Sequence, residues 1–197
     1  LAAAVGAETM TCIRKPVIGI AATGDELVNP GRELARGQIY ESNATYLTVA
    51  ARRDGAEPYP LGSIRDQADA LKAALNHLAA ESDLVVISGG VSVGDHDVSR
   101  ITLEQVGGTF RHVRMQPGKP QGWALWGEKD VEVPVIALPG NPLSASVSWE
   151  LFVTPMIATM LRLEPPAWVP AVAGEAWRSP AGREQVLPVV VEVDESG

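Results

Sequence analysis

The run Asp83-Leu84-Val85-Val86-Ile87-Ser88-Gly89-Gly90-Val91-Ser92-Val93-Gly94-Asp95-His96-Asp97 decides how this chain is read. Its first part is a short apolar stretch, which predicts a strand buried on both faces. A glycine-rich turn follows, and the pattern from Val98 onward is helical, so the turn joins a strand to a helix at the rim of a sheet. Gly89, Gly90 and Gly94 reach backbone angles closed to other residues and let an anion lie against main-chain N–H groups. Asp95 and Asp97 bring carboxylates to the same rim, which suits a magnesium ion or an oxyanion held through one. A phosphate-bearing ligand is the first expectation. A turn that only needs unusual dihedrals would show the same glycines, so the loop alone is weak evidence.

Three more loops of this character close other apolar runs: Thr23-Gly24-Asp25-Glu26-Leu27, Gln116-Pro117-Gly118-Lys119-Pro120 and Leu138-Pro139-Gly140-Asn141-Pro142. Four polar, glycine-bearing loops at strand ends predict one site. That prediction requires them to meet on a single rim of the sheet.

Outward from these loops, strands are expected at 16–22, 57–61, 83–88, 110–116 and 133–138, with 122–126 as an edge strand and a turn at 128–130. Helices are expected at 42–54 with Ser42 as cap and Gly55 as stop, at 66–80, at 98–106, and at 143–161 with a kink at Pro155. Strands alternating with helices of this length give a three-layer α/β/α, mostly parallel sheet, with ligands beyond the carboxyl ends of the strands. After Leu163 the character changes. Glu164-Pro165-Pro166 reads as a linker, and 169–177 and 185–193 read as β-rich around a turn at Ala181-Gly182. Residues 1–164 thus form one α/β domain, and 165–197 begin a small, incomplete β domain. The opening Leu1 to Gly6 reads as the tail of an upstream helix and not as a signal peptide.

With 197 residues, 46% of them hydrophobic, the chain can bury a full core. Its net charge of −8 argues against a general binder of nucleic acid or of anionic membranes, so any anion site is local. No apolar run approaches the roughly 20 residues that span a bilayer. Cys12 is the lone cysteine, expected to pack in the interior, and a reducing cytoplasm is the natural compartment. His77, His96 and His112 lack ligand spacing, which leaves carboxylates as candidate metal ligands. Lys119, on a turn stiffened by two prolines, is the leading local cation. Asp25 and Glu26 follow the first strand, where carboxylates coordinate magnesium or orient water. Asp66 to Asp69 resembles a capping box, and Asp97 stands at a helix start, so helix capping is the plain reading of both. Ser144 reads equally as a first-turn capping hydroxyl and as part of a phosphate seat with Asn141 and the Gly140 backbone. Ser42 and Asn43 either begin a helix or touch a ligand. Asp83 is expected to be structural, and Trp123, Trp126 and Trp149 to belong to the core.

TGDELVNPG at 23–31, GQIYESN at 37–43, SGGVSVGDHD at 88–97, PGKP at 117–120 and LPGNPLSA at 138–145, in this order and spacing, resemble the molybdopterin molybdenumtransferase family. The resemblance covers nearly the whole chain. It implies a molybdopterin-binding domain over 1–164 and the start of a C-terminal β-barrel domain from 165, with the family's N-terminal domains outside this chain. The implied reaction takes adenylated molybdopterin and molybdate and, with Mg2+, yields molybdenum cofactor and AMP. Implied catalytic residues are Glu26, Asp66, Asp97 and Lys119, and the implied Mg2+ ligands are Asp25, Glu26 and Asp97. Implied substrate-binding residues are Thr23, Gly24, Asp25, Ser42, Asn43, Ser88, Gly89, Gly90, Ser92, Gly94, Asp95, Pro117, Gly118, Pro139, Gly140, Asn141, Pro142 and Ser144. Implied partners are a molybdopterin adenylyltransferase, acceptor proteins of the cofactor and, at full length, a second copy of the protein. These 197 residues alone are expected to turn over little.

The chain departs from the family pattern at Gln116 and His112, where many relatives carry lysine, and Arg111 and Arg114 are the nearest substitutes. Three other readings compete: a molybdopterin adenylyltransferase, which shares the glycine loop, a gephyrin-like scaffold that binds peptides, and a competence-damage-type nucleotide hydrolase with the same core, whose TGGxGPTxDD stretch is not found in this sequence. The PGKP and LPGNP loops speak against the first, and nothing in the sequence marks a peptide groove for the second.

Overall fold

The computed structural model describes residues 2–91, 97–128 and 131–192. In chain order, β1 (Val17–Thr23) is followed by the short β2 (Leu27–Val28) and β3 (Ile39–Tyr40), then α1 (Asn43–Arg53), β4 (Glu57–Ile64), α2 (Ala68–Glu81) and β5 (Leu84–Ser88). Next come α3 (Val98–Glu104), β6 (Thr109–His112), β7 (Met115–Gln116), β8 (Pro120–Trp126) and β9 (Val133–Leu138). A helical column completes the fold with α4 (Pro142–Ser148), a π-helical turn at Trp149–Val153 and α5 (Thr154–Met160), and β10 (Glu184–Gln185) lies beyond it.

Six strands form one sheet in the order β4-β1-β5-β9-β8-β6. The first four are parallel, β8 runs antiparallel to β9, and β6, antiparallel to β8, returns to the direction of the first four. Strand alternation explains the layers. Leu84 and Val86 of β5 face one side, where Leu47, Trp149 and Ile157 pack over them. Val85 and Ile87 face the other, against Leu71, Leu75, Leu78 and Leu103. Both faces of β5 are therefore dry, as an apolar run without alternation demands.

Several expectations need correction. The 122–126 strand is not the edge: β8 pairs on both sides, and the edge falls to β6. The strand expected at 110–116 breaks after His112, because the Val113 N–H donates to the Lys119 carbonyl at 2.8 Å and turns the chain into the PGKP loop. Ser42 holds the N-cap position of α1 but makes no capping bond, and the neighbouring Glu41 carboxylate accepts the Ala44 N–H at 2.7 Å instead. Asp66 does not cap α2, which starts at Ala68 with Gln67 at the N-cap and no side-chain bond. Cys12 is exposed and packs no core. Among the described residues of 164–192, β10 is the one strand, and it joins β7 of the α/β unit. The β-rich stretches flanking Ala181-Gly182 form no sheet of their own, since two isolated strands bury too little to hold together. The expected tail of an upstream helix is a single 3-10 turn at Ala3–Val5.

Pro155 does not break its helix. The wider π turn just upstream takes up the irregularity that the missing N–H would otherwise impose. Asp54, past the end of α1, fastens that turn: its carboxylate accepts from Trp149 Nε1 at 2.9 Å, Thr154 Oγ1 at 2.7 Å and Arg53 Nε at 2.8 Å. Burial pushes the Asp54 carboxyl up, but the bonds from Arg53, Thr154 and Trp149 outweigh it and hold the group below its ordinary value. Asp54→Ala strands the N–H of the fully buried Trp149 and is expected to cost roughly 3 kcal/mol in urea unfolding, with Asp54→Asn losing about half of that. The depressed carboxyl sets the sign with pH: its stabilisation is present above the ordinary carboxylate range and disappears as pH falls through the lowered value.

Candidate functional site

Parallel strands place all their carboxyl ends on one side of the sheet, and β1, β4, β5 and β9 end there at Thr23, Ile64, Ser88 and Leu138. Because β8 runs antiparallel to β9, its first residue, Pro120, reaches the same side. The four loops therefore converge on one rim. They enclose a cleft of about 460 Å³ lined by Thr23, Glu26, Leu27, Ile39, Asn43, Asp66, Ser88, Gly89, Gly90, Val91, Asp97, Val98, Pro120, Pro139 and Gly140.

Hydrogen bonds tie these loops to one another. The Gly89 N–H donates to the Leu138 carbonyl at 3.0 Å, and the Gly24 N–H to the Ile64 carbonyl at 3.1 Å. Asn43 Nδ2 donates to Ser88 Oγ at 2.7 Å and to the Gly140 carbonyl at 2.8 Å, so the start of α1 clamps the ends of β5 and β9. Ser88 Oγ in turn donates to the Pro139 carbonyl at 3.3 Å. The glycines of this loop are spatial necessities: a Cβ on Gly89 would stand 2.5 Å from the Thr23 carbonyl oxygen, and one on Gly90 2.1 Å from Ser99 Oγ. With the Gly89 amide spent on Leu138, an anion would have to meet main-chain donors from Gly90 onward.

Carboxylates crowd one wall. Asp97 lines the cleft and also caps α3, accepting the Arg100 N–H at 3.1 Å. Asp25 accepts the Asp66 N–H at 3.1 Å and holds the strand ends of β1 and β4 together from outside the lining. Desolvation pushes the Asp66 carboxyl up, and the charges of Asp25, Glu26 and Asp97 push it further in the same direction. Asp66 caps no helix and lines the cleft. Among the described residues, no three His, Cys, Asp or Glu side chains gather as a ready-made metal cage.

Not every candidate lines the cleft. Ser42, Gly24, Pro117, Gly118, Lys119, Asn141, Pro142 and Ser144 lie outside its lining, and Ser92, Gly94 and Asp95 fall outside the described residues. Asn141 caps α4 by accepting from the Ser144 N–H at 3.2 Å, and Ser144 Oγ also donates to it at 3.4 Å. Lys119 is exposed on a turn that Gln121 anchors, its Nε2 donating to the Gly118 carbonyl at 2.7 Å and to Ser148 Oγ at 2.6 Å. Asp83 is structural as expected, bonding the Arg14 guanidinium and the Val17 N–H at the opposite end of the sheet. Of the tryptophans, Trp126 and Trp149 are core and Trp123 is half exposed. The apolar floor of Leu27, Ile39, Val91, Val98 and Pro120 escaped the sequence reading, although apolar residues inside polar loops were its signal.

A doubly wound sheet whose loops close a cleft over the carboxyl ends of parallel strands defines a ligand-binding α/β domain. The chain belongs to the family described as "Probable molybdopterin binding domain", which matches residues 19–159. It is 34% identical to molybdopterin molybdenumtransferase 2 of Mycobacterium tuberculosis, an alignment covering 98% of this chain and 49% of that one. It is 38% identical to molybdopterin molybdenumtransferase of Bacillus subtilis, over 84% of this chain and 38% of that protein. The crystal structure of the molybdopterin biosynthesis MoeA protein from Pyrococcus horikosii superposes with a TM-score of 0.71 at 34% identity, covering 83% of this chain and 40% of that one. The chain thus spans half or less of the length of these relatives. MoaB from Pyrococcus furiosus, at 12% identity and a TM-score of 0.57, shares the fold alone. No helix among the described residues is long and apolar enough to cross a membrane.

Proposed function

We propose that this chain is the pterin-binding part of a cytoplasmic molybdopterin molybdenumtransferase, which takes adenylated molybdopterin and molybdate and releases molybdenum cofactor and AMP. The observation that carries this reading is the meeting of four loops from separate strands on one cleft, glycine-lined on one wall and carboxylate-lined on another. The cleft's apolar floor offers contact to a flat ring, and its polar rim offers donors to anionic groups. Asn43 keeps that rim closed by joining the β5 and β9 loops.

Magnesium fits the donor set without a preformed cage, because it takes one or two carboxylates and completes its shell with water and substrate phosphates. Glu26 and Asp97 are the lining carboxylates that would hold it. When bound, it supplies neutralisation of phosphoryl charge. Asp66, whose carboxyl is raised, is the group suited to take and return a proton at the pyrophosphate. A molybdopterin adenylyltransferase upstream, cofactor acceptor proteins downstream and a second copy of the full-length protein complete the proposed setting.

The test uses the full-length protein with adenylated molybdopterin, magnesium and molybdate. AMP release that depends on molybdate is expected. Formation of adenylated molybdopterin from molybdopterin and ATP would instead assign the preceding nucleotidyl transfer. Peptide binding with no molybdate-dependent turnover would make the chain a scaffold.

A further inference from the structure

At the cleft end of the sheet β8 is held unevenly by its two neighbours. Its ladder with β6 reaches Pro120, opposite His112, but its ladder with β9 begins only at Gly122, opposite Ala137. Pro120, which lines the cleft, and Gln121 lie beyond the β9 ladder. A side chain bridges the gap. Gln121 Nε2 donates to the Gly118 carbonyl at 2.7 Å, inside the turn, and to Ser148 Oγ at 2.6 Å, at the end of α4. A carbonyl only accepts, so the amide nitrogen must face Gly118, and both of its hydrogens are engaged. Gly118 closes the same corner, since a Cβ there would stand 3.0 Å from Ser148 Oγ and from Met115 Cε.

The α4 end of this link is fixed. Ser148 is fully buried, and so is the next residue, Trp149, whose Nε1 is held by Asp54 at 2.9 Å. Gln121 Oε1, by contrast, is buried and has no partner among the described residues. An amide whose acceptor goes unmet is a poor stabiliser, yet its two donors specify a geometry that an apolar side chain of the same length would leave open. What that geometry joins is two walls of the cleft. Pro120 stands at the end of the turn, Pro139 and Gly140 stand just before α4, and all three line the cleft.

We propose that Gln121, braced by Ser148, is a positioning residue that sets the spacing between the Pro120 wall and the Pro139–Gly140 wall, and through it the grip of the cleft on the flat ring of its ligand. This rests on the functional reading above and adds to it two residues outside the cleft lining. Gln121 acts through the turn that it holds against α4.

Binding of adenylated molybdopterin is measured on the full-length protein with molybdate left out, so that no turnover intervenes, beside thermal unfolding and amide exchange of the ligand-free protein. Gln121→Met keeps the length of the side chain and removes both donors. It is expected to weaken binding about fivefold and to speed exchange at the Gly118 and Lys119 amides about fivefold, with the melting temperature within about 3 °C of wild type. Ser148→Ala keeps the bond to the Gly118 carbonyl and is expected to lose about twofold in affinity. Added to Gln121→Met it should cost nothing further, because the two side chains act as one unit. Unchanged affinity in Gln121→Met beside a wild type that binds overturns the positioning role alone. So does a loss of affinity that only follows a lowered melting temperature, which would make the link a structural staple, and so do additive losses in the double variant. Failure of the wild-type protein to bind adenylated molybdopterin overturns the functional reading and this proposal with it.

Discussion

Gly89→Ala is expected to remove most ligand binding in the cleft and to destabilise the chain by roughly 3 kcal/mol or more. Two effects combine at this position. Its φ of +98° lies where side chains are rarely tolerated, and the added Cβ would stand 2.5 Å from the Thr23 carbonyl oxygen and 2.8 Å from Thr23 Oγ1. Neither partner has room to yield. Thr23 ends β1, which is paired on both sides within the sheet, and the Gly89 amide is held by the Leu138 carbonyl. Any retreat of the loop therefore breaks the bond that joins it to the β9 loop. Gly107 supplies the comparison, since its φ of +85° is similar but a Cβ there meets nothing within 4 Å. Gly107→Ala is expected to show the backbone strain alone, about 1 kcal/mol. Urea unfolding and AMP binding read both variants, and equal losses would show that the crowding at Thr23 has no consequence.

That crowding was legible in the sequence only as a pair of glycines after an apolar run. The run itself was decisive: four consecutive apolar residues can be satisfied only between two helical layers, and β5 sits there. Convergence of the loops followed from parallel order, because parallel strands have no choice about which end their carboxyl loops occupy. What stayed hidden were choices between neighbours. Glu41 and Ser42 are adjacent and both competent to cap α1, and the carboxylate reaches the Ala44 amide. Asp66 carries a capping signature, yet α2 starts two residues later, which is a matter of how β4 delivers the chain. The 164–192 segment has strand composition but no sheet of its own to join, so composition overstated its structure.

Asp66→Asn is expected to separate stability from activity in opposite directions. The wild-type carboxyl is pushed up first by desolvation in the cleft and then by the charges of Asp25, Glu26 and Asp97. A carboxyl whose folded value is raised binds protons more readily in the folded state than in the unfolded one. Its effect on stability is therefore most favourable below the ordinary carboxylate range and turns into a cost as pH rises through that range and past the raised value. Asparagine carries no charge at any of these pH values. The variant should match wild type in acid and become the more stable of the two at neutral pH, a gap that unfolding curves across the acid-to-neutral range would trace. The Asp66 main-chain N–H donates to the Asp25 carboxylate, and that bond survives the change, so the comparison isolates the carboxylate of residue 66. Turnover by the full-length enzyme should fall about 100-fold or more, the usual range for losing a positioned acid or base. A carboxylate kept where it repels its neighbours suits a site in which a cation or a proton transfer uses it. An Asp66→Asn enzyme that is no more stable at neutral pH and turns over as wild type does would remove Asp66 from the site.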